Sequence, residues 1–127
     1  MLHDATKALA RGKSFAALTT LFEDGSPQTN LMWVDADDDH VLINTEVHRQ
    51  KYRNLTRDPR VTVAIFDPVN PYHYVEVRGR VVGEVRGEQA RAHIDQLSTK
   101  YTGGPYAMPI TSERVIVKIA PERERSQ

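Results

Sequence analysis

The spacing of apolar and polar residues predicts a chain made mainly of short β-strands. The clearest example is residues 60–67 (RVTVAIFD), where Val61, Val63 and Ile65 alternate with a second set of side chains. Comparable segments predict five further strands, over residues 14–22, 28–34, 40–45, 74–85 and 115–120. The residues that follow, PERERSQ, are polar and are interpreted as a tail.

Apolar residues at helical spacing predict three helices between these strands. Residues 2–11 form a short helix that Gly12 ends, and residues 87–101 form the longest one. A short basic helix precedes Pro59, because proline disfavours helical geometry in the residue before it. The apolar face of the longest helix consists of Ala90, Ile94, Leu97 and Tyr101.

Turn residues separate the strands and indicate antiparallel pairing. Asp24-Gly25 is a strong hairpin signal, and three successive aspartates, residues 37–39, form the next turn. Gly79 and Gly83 interrupt the long strand and predict bulges or bends. Six strands joined in this way, with only three helices, predict a mainly β fold, a small antiparallel barrel decorated by helices.

Composition narrows the class of protein. The 127 residues are sufficient for one domain, residues 1–127, and the formal net charge is zero. We therefore expect no general attraction to nucleic acid or to anionic membranes. The chain contains no cysteine, which excludes disulfides and thiol catalysis. Without a secretory or membrane-spanning apolar run, we expect a soluble, cytoplasmic protein.

Two patterns that could bind a metal ion are weak. Glu46 follows Asp35 by eleven positions, as in a calcium loop, but the sixth position is His40 where such a loop requires glycine. The five histidines show neither i,i+4 nor His-x-His spacing. We therefore expect no metal site.

Basic residues cluster in and around the short helix. Arginine or lysine occurs at residues 49, 51, 53, 57 and 60, opposed only by Asp58. Cations at the entry of a helix that follows a strand can receive a phosphate, through the helix N–H groups and the guanidinium forks. The alternative is a solvated basic helix face.

Aromatic residues occur where a pocket could form. Trp33 lies in the second strand, while Tyr72, Tyr74 and Tyr106 lie in or beside proline-containing loops. They either fill the core or a subunit interface, or they line a pocket for a flat ring. A cofactor with a flat ring and a phosphate would use the aromatic and the basic residues together. Such a cofactor would also explain the absence of a nucleophile motif.

Several segments of the sequence together resemble a known family. The chain is similar to the split β-barrel flavin and deazaflavin oxidoreductases of the pyridoxamine 5′-phosphate oxidase-like class, and particularly to their small branch that uses coenzyme F420. The resemblance covers nearly the whole chain. The segments that carry it are GSPQ (25–28), NLMWV (30–34), NT (44–45), RQK (49–51), RNLTRDPRV (53–61), DPVNPY (67–72) and YVEVRGRV (74–81).

The resemblance implies a homodimer with the cofactor in a groove between two barrels. Thr45 and Lys51 match a threonine and a lysine that hold the FMN phosphate in the oxidase relatives. Arg49 and Gln50 replace a serine and an arginine, giving an Arg-x-Lys pattern that favours F420 over FMN. The residues expected along the deazaflavin ring are Asn30, Leu31, Met32 and Trp33, with Asn44 beside Thr45.

The implied activity is transfer of a hydride from reduced F420 to a conjugated, electron-poor small molecule. The alternatives are an FMN-binding oxidoreductase or flavin-binding protein of the same fold, and a non-catalytic F420-binding protein. Candidates for a proton donor, by loop position, are Tyr72, His73 and Tyr106, but no catalytic residue is assigned. The arginine and histidine that bind pyridoxal phosphate in the relatives have no match in residues 113–127, so vitamin B6 oxidation is not expected.

Overall fold

A computed structural model describes residues 1–126 as seven strands and three helices. The elements are, in chain order, α1 (Asp4–Arg11), β1 (Phe15–Leu21), β2 (Pro27–Trp33), β3 (Asp35–Ala36), β4 (Val41–Glu46), α2 (Gln50–Arg57), β5 (Arg60–Phe66), β6 (Tyr74–Arg86), α3 (Glu88–Thr102) and β7 (Arg114–Ser126). The predicted helices and the six predicted strands all occur. The additional strand is the two-residue β3.

All strands belong to one antiparallel sheet in the order β2-β1-β5-β6-β7-β4-β3. The β1–β2 hairpin turns at Gly25, whose φ of +87° is the left-handed conformation that glycine adopts without strain. The sheet curves as a half-barrel with the three helices packed on it. The predicted mainly β fold with an antiparallel barrel is confirmed.

The predicted polar tail is wrong. Strand β7 continues to Ser126, and its second half pairs with the first half of β6, from Val75 opposite Ser126 to Gly79 opposite Pro121. The prediction failed because the sequence here lacks buried apolar residues. The thirteen-residue β6 supplies a hydrogen-bonding partner along its length, so backbone pairing extends the strand beyond the core.

The predicted bulges are confirmed. The pairing of β6 with β7 shifts register at Gly79 and again at Gly83. At Gly79 a Cβ atom would lie 2.1 Å from the Ala120 carbonyl oxygen. Glycine is therefore required there because the backbone of β7 approaches too closely for any side chain.

The core lies on one face of the sheet, where alternate residues are fully buried. These include Leu18, Val41, Ile43, Val63, Ile65, Val75, Val77, Val115 and Ile119. Helix α2 ends at Arg57, before Asp58-Pro59, as predicted. Helix α3 buries the predicted residues Ala90, Ile94 and Leu97. No helix within residues 1–126 is both long enough and apolar enough to cross a membrane.

Candidate functional site

A groove of about 570 Å³ lies between β2, β4, α3 and the loop that joins α3 to β7. One end is apolar and aromatic, and three cationic side chains line the other. The lining residues are Phe15, Leu31, Met32, Trp33, Asn44, Thr45, Arg49, Lys51, Phe66, Ile94, Leu97, Tyr106, Met108 and Arg114. None of them carries a carboxylate, so the groove suits a ligand with a flat apolar part and an anionic part.

Lys51 is the least compensated cation of this groove. It lies in the first turn of α2, and no carboxylate within residues 1–126 forms an ion pair with it. Burial, together with the nearby positive charges of Arg49 and Arg114, lowers the pKa of Lys51 to about 8. A charged amine in such surroundings is stabilised by an anion, because the anion supplies the missing opposite charge.

Thr45 is a second group with an unmet bonding requirement. Its side chain lines the groove at the end of β4 and is 3% exposed. Its hydroxyl oxygen is buried and has no hydrogen-bond partner within the described residues. Leaving a buried hydroxyl unpaired costs about 1–3 kcal/mol, so Thr45 is a costly residue at this position of the groove lining.

Arg114 is held by Glu46 and Asn44. Its Nε donates to Asn44 Oδ1 at 2.8 Å, and its Nη1 donates to Glu46 Oε2 at 3.3 Å. Its guanidinium also lies 5.3 Å from the centre of the Tyr106 ring, in cation–π geometry. Because Glu46 already compensates its charge, Arg114 is held in one orientation but contributes less net positive charge to the groove than Lys51 does.

Glu46 also fixes the loop that covers the groove. Its Oε1 accepts the backbone N–H groups of Thr111 and Ser112, each at 2.8 Å. Burial acts to raise the pKa of Glu46, but these N–H groups and Arg114 outweigh burial and lower the pKa. An ionised, buried carboxylate therefore anchors the segment that carries Tyr106 and Met108.

The aromatic wall is centred on Trp33. Its indole stacks on Tyr101 with ring centroids 5.1 Å apart, and the edge of Tyr106 meets it at 6.1 Å. Phe15, which pairs with Trp33 across the β1–β2 ladder, also contacts Tyr101, at 5.7 Å between centroids. Offset and edge contacts of this kind are the favourable arrangements of aromatic rings. Trp33 is thus held in one orientation at the side of the groove.

Comparison with known proteins establishes the family. Residues 2–127 match the family described as Pyridoxamine 5'-phosphate oxidase. The chain belongs to the pyridoxamine 5'-phosphate oxidase family. No curated protein matches it.

Solved structures support this assignment. One, described as F420 Reductase, is 34% identical to this chain, with 95% of this chain and 96% of that chain covered and a TM-score of 0.82. The conserved hypothetical protein Rv2991 from Mycobacterium tuberculosis is 26% identical over 99% and 84% of the two chains, with a TM-score of 0.73. General Stress Protein 26 from Bacillus anthracis str. Sterne, at 20% identity, 97% and 92% coverage and a TM-score of 0.71, shares the fold.

Most of the family-like residues named from the sequence meet in the groove. The structure brings together Leu31, Met32, Trp33, Asn44, Thr45, Arg49 and Lys51. Asn30 and Gln50 do not line it. Asn30 pairs with Leu18 in the β1–β2 ladder, and Gln50 donates a 2.9 Å hydrogen bond to Asn54 Oδ1.

The basic cluster divides in two. Arg49 and Lys51 line the groove, whereas Arg53, Arg57 and Arg60 do not. Arg53 donates to the His48 carbonyl oxygen, Arg57 to the Leu21 carbonyl oxygen, and Arg60 pairs with Asp58 at 2.7 Å. For these three arginines the alternative of a surface role is the correct one.

The loop tyrosines divide similarly. Tyr106 lines the groove, but Tyr72 is 80% exposed and both it and Tyr74 lie outside the groove. His73 faces a different cavity, between α1 and the 67–73 loop. Among the three proton-donor candidates, only Tyr106 is within the site.

Sequence reasoning missed six lining residues, namely Phe15, Phe66, Ile94, Leu97, Met108 and Arg114. Five are apolar. Four of these belong to correctly predicted strands and a helix and Met108 to a loop, and neither setting indicates which residues border a groove. Arg114 left no clear signal, because it stands between Glu113 and the strand VIVKIA, which itself contains Lys118. A charged residue with 6% exposure in that position requires buried partners, and it has them in Asn44 and Glu46.

Proposed function

We propose that this protein is an oxidoreductase that uses reduced coenzyme F420 as hydride donor to reduce a conjugated small molecule. The observation that carries the proposal is the pairing, in one groove, of an aromatic wall with three cationic side chains and no carboxylate. The family assignment and the 34% identical structure described as F420 Reductase support it.

The anionic part of the cofactor fits the cationic end of the groove. Lys51 offers an ammonium without an acidic partner in residues 1–126, and Thr45 offers a buried hydroxyl without a hydrogen bond. Arg49 is 3.6 Å from Glu46 Oε2 and retains N–H groups for a second acceptor. These three residues would hold the phosphate through charge-assisted hydrogen bonds.

The flat ring of the cofactor fits the aromatic end. Trp33 is fixed by its stacking on Tyr101, and Phe15, Phe66, Leu97 and Met32 supply further apolar surface. When bound there, reduced F420 supplies a hydride equivalent to an electron-poor acceptor. The protein side chains would hold the ring and the acceptor in contact and exclude water. Tyr106 contacts both Trp33 and Arg114 in the groove and, of the three proton-donor candidates, is the one we propose.

We further propose that the functional form is a homodimer. Leu31 and Met108 line the groove and are 67% and 66% exposed. Large apolar side chains at the rim of a binding groove are typical of a surface that a second subunit covers. Light scattering tests this proposal, because the Leu31→Lys variant is expected to be monomeric where the parent protein is dimeric. Cytoplasmic location stays a prediction from the sequence.

The activity is tested by the oxidation of reduced F420, followed by absorbance with a panel of quinones, unsaturated lactones and nitroaromatics. Turnover with at least one acceptor is expected. Binding of F420 without turnover would indicate a non-catalytic binding protein, and a yellow protein that prefers FMN would indicate a flavoprotein.

Two variants of the same helix sharpen the assignment. Lys51→Ala is expected to weaken F420 binding at least tenfold, since charge-assisted hydrogen bonds contribute about 1.5–3 kcal/mol. Arg53→Ala removes an equal charge from the same helix but outside the groove, and is expected to leave binding within about twofold. Equal effects of the two substitutions would mean that the helix acts only by its overall charge.

A further inference from the structure

A buried series of hydrogen bonds runs from Asp35 to Arg114 behind the groove. His93, on α3, is 6% exposed, and its Nε2 lies 3.0 Å from Asp35 Oδ2. Its other ring nitrogen, Nδ1, lies 3.0 Å from the side-chain nitrogen of Asn44. Asn44 Oδ1 in turn accepts the 2.8 Å hydrogen bond from Arg114 Nε. Asn44 and Arg114 line the groove, whereas Asp35 and His93 lie behind it.

The donors and acceptors of this series allow one arrangement of protons. Arg114 Nε can only donate, so the Asn44 amide must turn its oxygen towards Arg114. The Asn44 nitrogen then faces the Ala90 carbonyl oxygen, 2.9 Å away, and His93 Nδ1. Because an amide nitrogen only donates, His93 Nδ1 must accept, and the ring proton lies on Nε2.

Asp35 is the residue that selects this form of His93. Burial acts to raise the pKa of Asp35, but hydrogen bonds from His93 and from the Ala36 N–H outweigh burial and lower the pKa. Asp35 is therefore a carboxylate at neutral pH and can only accept. Asp35 accepts a hydrogen bond from the His93 Nε2–H, which leaves the Nδ1 lone pair free to accept from Asn44.

We propose that His93, oriented by Asp35, is a positioning residue for the cationic end of the groove. By accepting the Asn44 N–H, it fixes the Asn44 amide and, through Asn44, the Arg114 guanidinium. A flipped Asn44 amide would turn its NH₂ group towards Arg114 and its oxygen towards two acceptors. The flip is therefore opposed by the Ala90 carbonyl, His93 and Arg114. Of these, only His93 acts through a side chain that can be replaced without altering the groove lining.

Three variants of His93 separate positioning from packing. His93→Asn places an amide oxygen near the position of Nδ1 and keeps the acceptor for Asn44. His93→Gln keeps an N–H near the position of Nε2, for Asp35, but offers Asn44 no acceptor. His93→Leu keeps apolar bulk and removes both hydrogen bonds.

The first readout is F420 affinity, and in using F420 as the probe it rests on the proposed function. His93→Leu and His93→Gln are expected to bind F420 about fivefold to tenfold more weakly, while His93→Asn stays within about twofold, as expected for the loss of one network hydrogen bond. Equal losses in all three variants, or no loss in any, would overturn the proposal.

The second readout uses the ligand-free protein and separates failure of this inference from failure of the proposed function. Nitrogen-15 NMR follows hydrogen exchange at the Arg114 Nε–H and the Asn44 side-chain amide. Slow exchange is expected in the parent protein and in His93→Asn, and fast exchange in His93→Gln. The same slow exchange in His93→Gln would refute the positioning role, whether or not F420 binds. If His93→Leu does not fold, the Asn and Gln pair still decides the matter.

Discussion

The Trp33 indole and the Tyr101 ring lie parallel, with 5° between their planes. Tyr101 comes from α3, and its hydroxyl donates to the Ser14 carbonyl oxygen and accepts the Val34 N–H at 3.1 Å. Burial raises the pKa of Tyr101 to about 12, so the phenol keeps its proton. A residue of the third helix therefore packs on the groove-lining tryptophan and bonds the backbone just before β1 and just after β2.

Loss of this stacking should loosen Trp33. In Tyr101→Leu we expect the emission of Trp33, the only tryptophan, to shift to longer wavelength as water reaches the indole. Tyr101→Phe retains the ring and should keep the parent spectrum, although it loses the hydroxyl bonds and about 1 kcal/mol of stability. Identical spectra for the two variants would show that the stacking does not hold Trp33.

Lys51 should make cofactor binding depend on pH. Its lowered pKa of about 8 means that the groove loses this charge between neutral and alkaline pH. F420 affinity is expected to fall up to about tenfold from pH 7 to pH 9, because the anion binds the protonated amine. Lys51→Arg keeps its charge over this range and should flatten the curve. A parallel decline in this variant would place the titrating group elsewhere.

The lowered pKa of Lys51 affects folding in the opposite direction, because stability should rise with pH while F420 affinity falls. The ordinary pKa of 10.5 applies to Lys51 in the unfolded chain, so the unfolded state binds more protons between pH 8 and pH 10.5. The free energy of unfolding should therefore gain a contribution from Lys51 as pH rises through this window. In denaturant titrations, Lys51→Met should lack this contribution, and an unchanged pH dependence would contradict it.

Glu46 should contribute stability at neutral pH that is lost in acid. Its pKa in the folded protein lies below the ordinary 4.5, so the contribution is present above pH 4.5 and disappears as pH falls through the folded-state pKa. Glu46→Gln should lower the free energy of unfolding by about 1–3 kcal/mol at pH 7, and the difference from the parent should shrink in acid. Glu88→Gln, on an exposed helix end, is the matched control and should change little. A difference that persists at low pH would mean that charge is not the cause.

Gly79 should tolerate no side chain. A Cβ at this position would overlap the Ala120 carbonyl oxygen, and relieving the overlap requires β6 and β7 to separate. Gly79→Ala is expected to cost about 1–3 kcal/mol or more in chemical denaturation. Gly83→Ala lies at the other register shift of the same strand, where a Cβ meets nothing within 4 Å, and should be nearly neutral. Equal costs would show that the bulges themselves, and not the close approach, require glycine.

Local patterns predicted most of the fold, because alternating apolar residues mark buried strands and proline and glycine mark turns, helix ends and bulges. Alternation identified β5, proline ended α2, and the two glycines located the bulges of β6. The end of β7 was missed because residues 121–126 are ordered by backbone pairing with β6, which leaves no apolar signature. Strand β3 was missed because it has only two residues, which are too few to show an alternating pattern.

The site could be predicted only in part. The family-like segments identified Thr45, Arg49 and Lys51, which the fold brings to one end of the groove. The role of Glu46 and His93 could not be deduced, because each depends on a partner 68 or 58 positions away in the chain. Long-range hydrogen bonds of this kind decide the geometry of the groove, and no local pattern encodes them.

The most direct test of F420 binding in this groove is a titration of the purified protein with F420, followed by the fluorescence of Trp33, with a parallel titration by FMN. Because Trp33 is the only tryptophan and lines the groove, ligand in the groove should quench its emission. Quenching by F420 is expected at micromolar or lower concentration, with FMN much weaker, and the response should be weakened in Lys51→Ala. Quenching by FMN alone, or by neither compound, would contradict the assignment of this groove to F420.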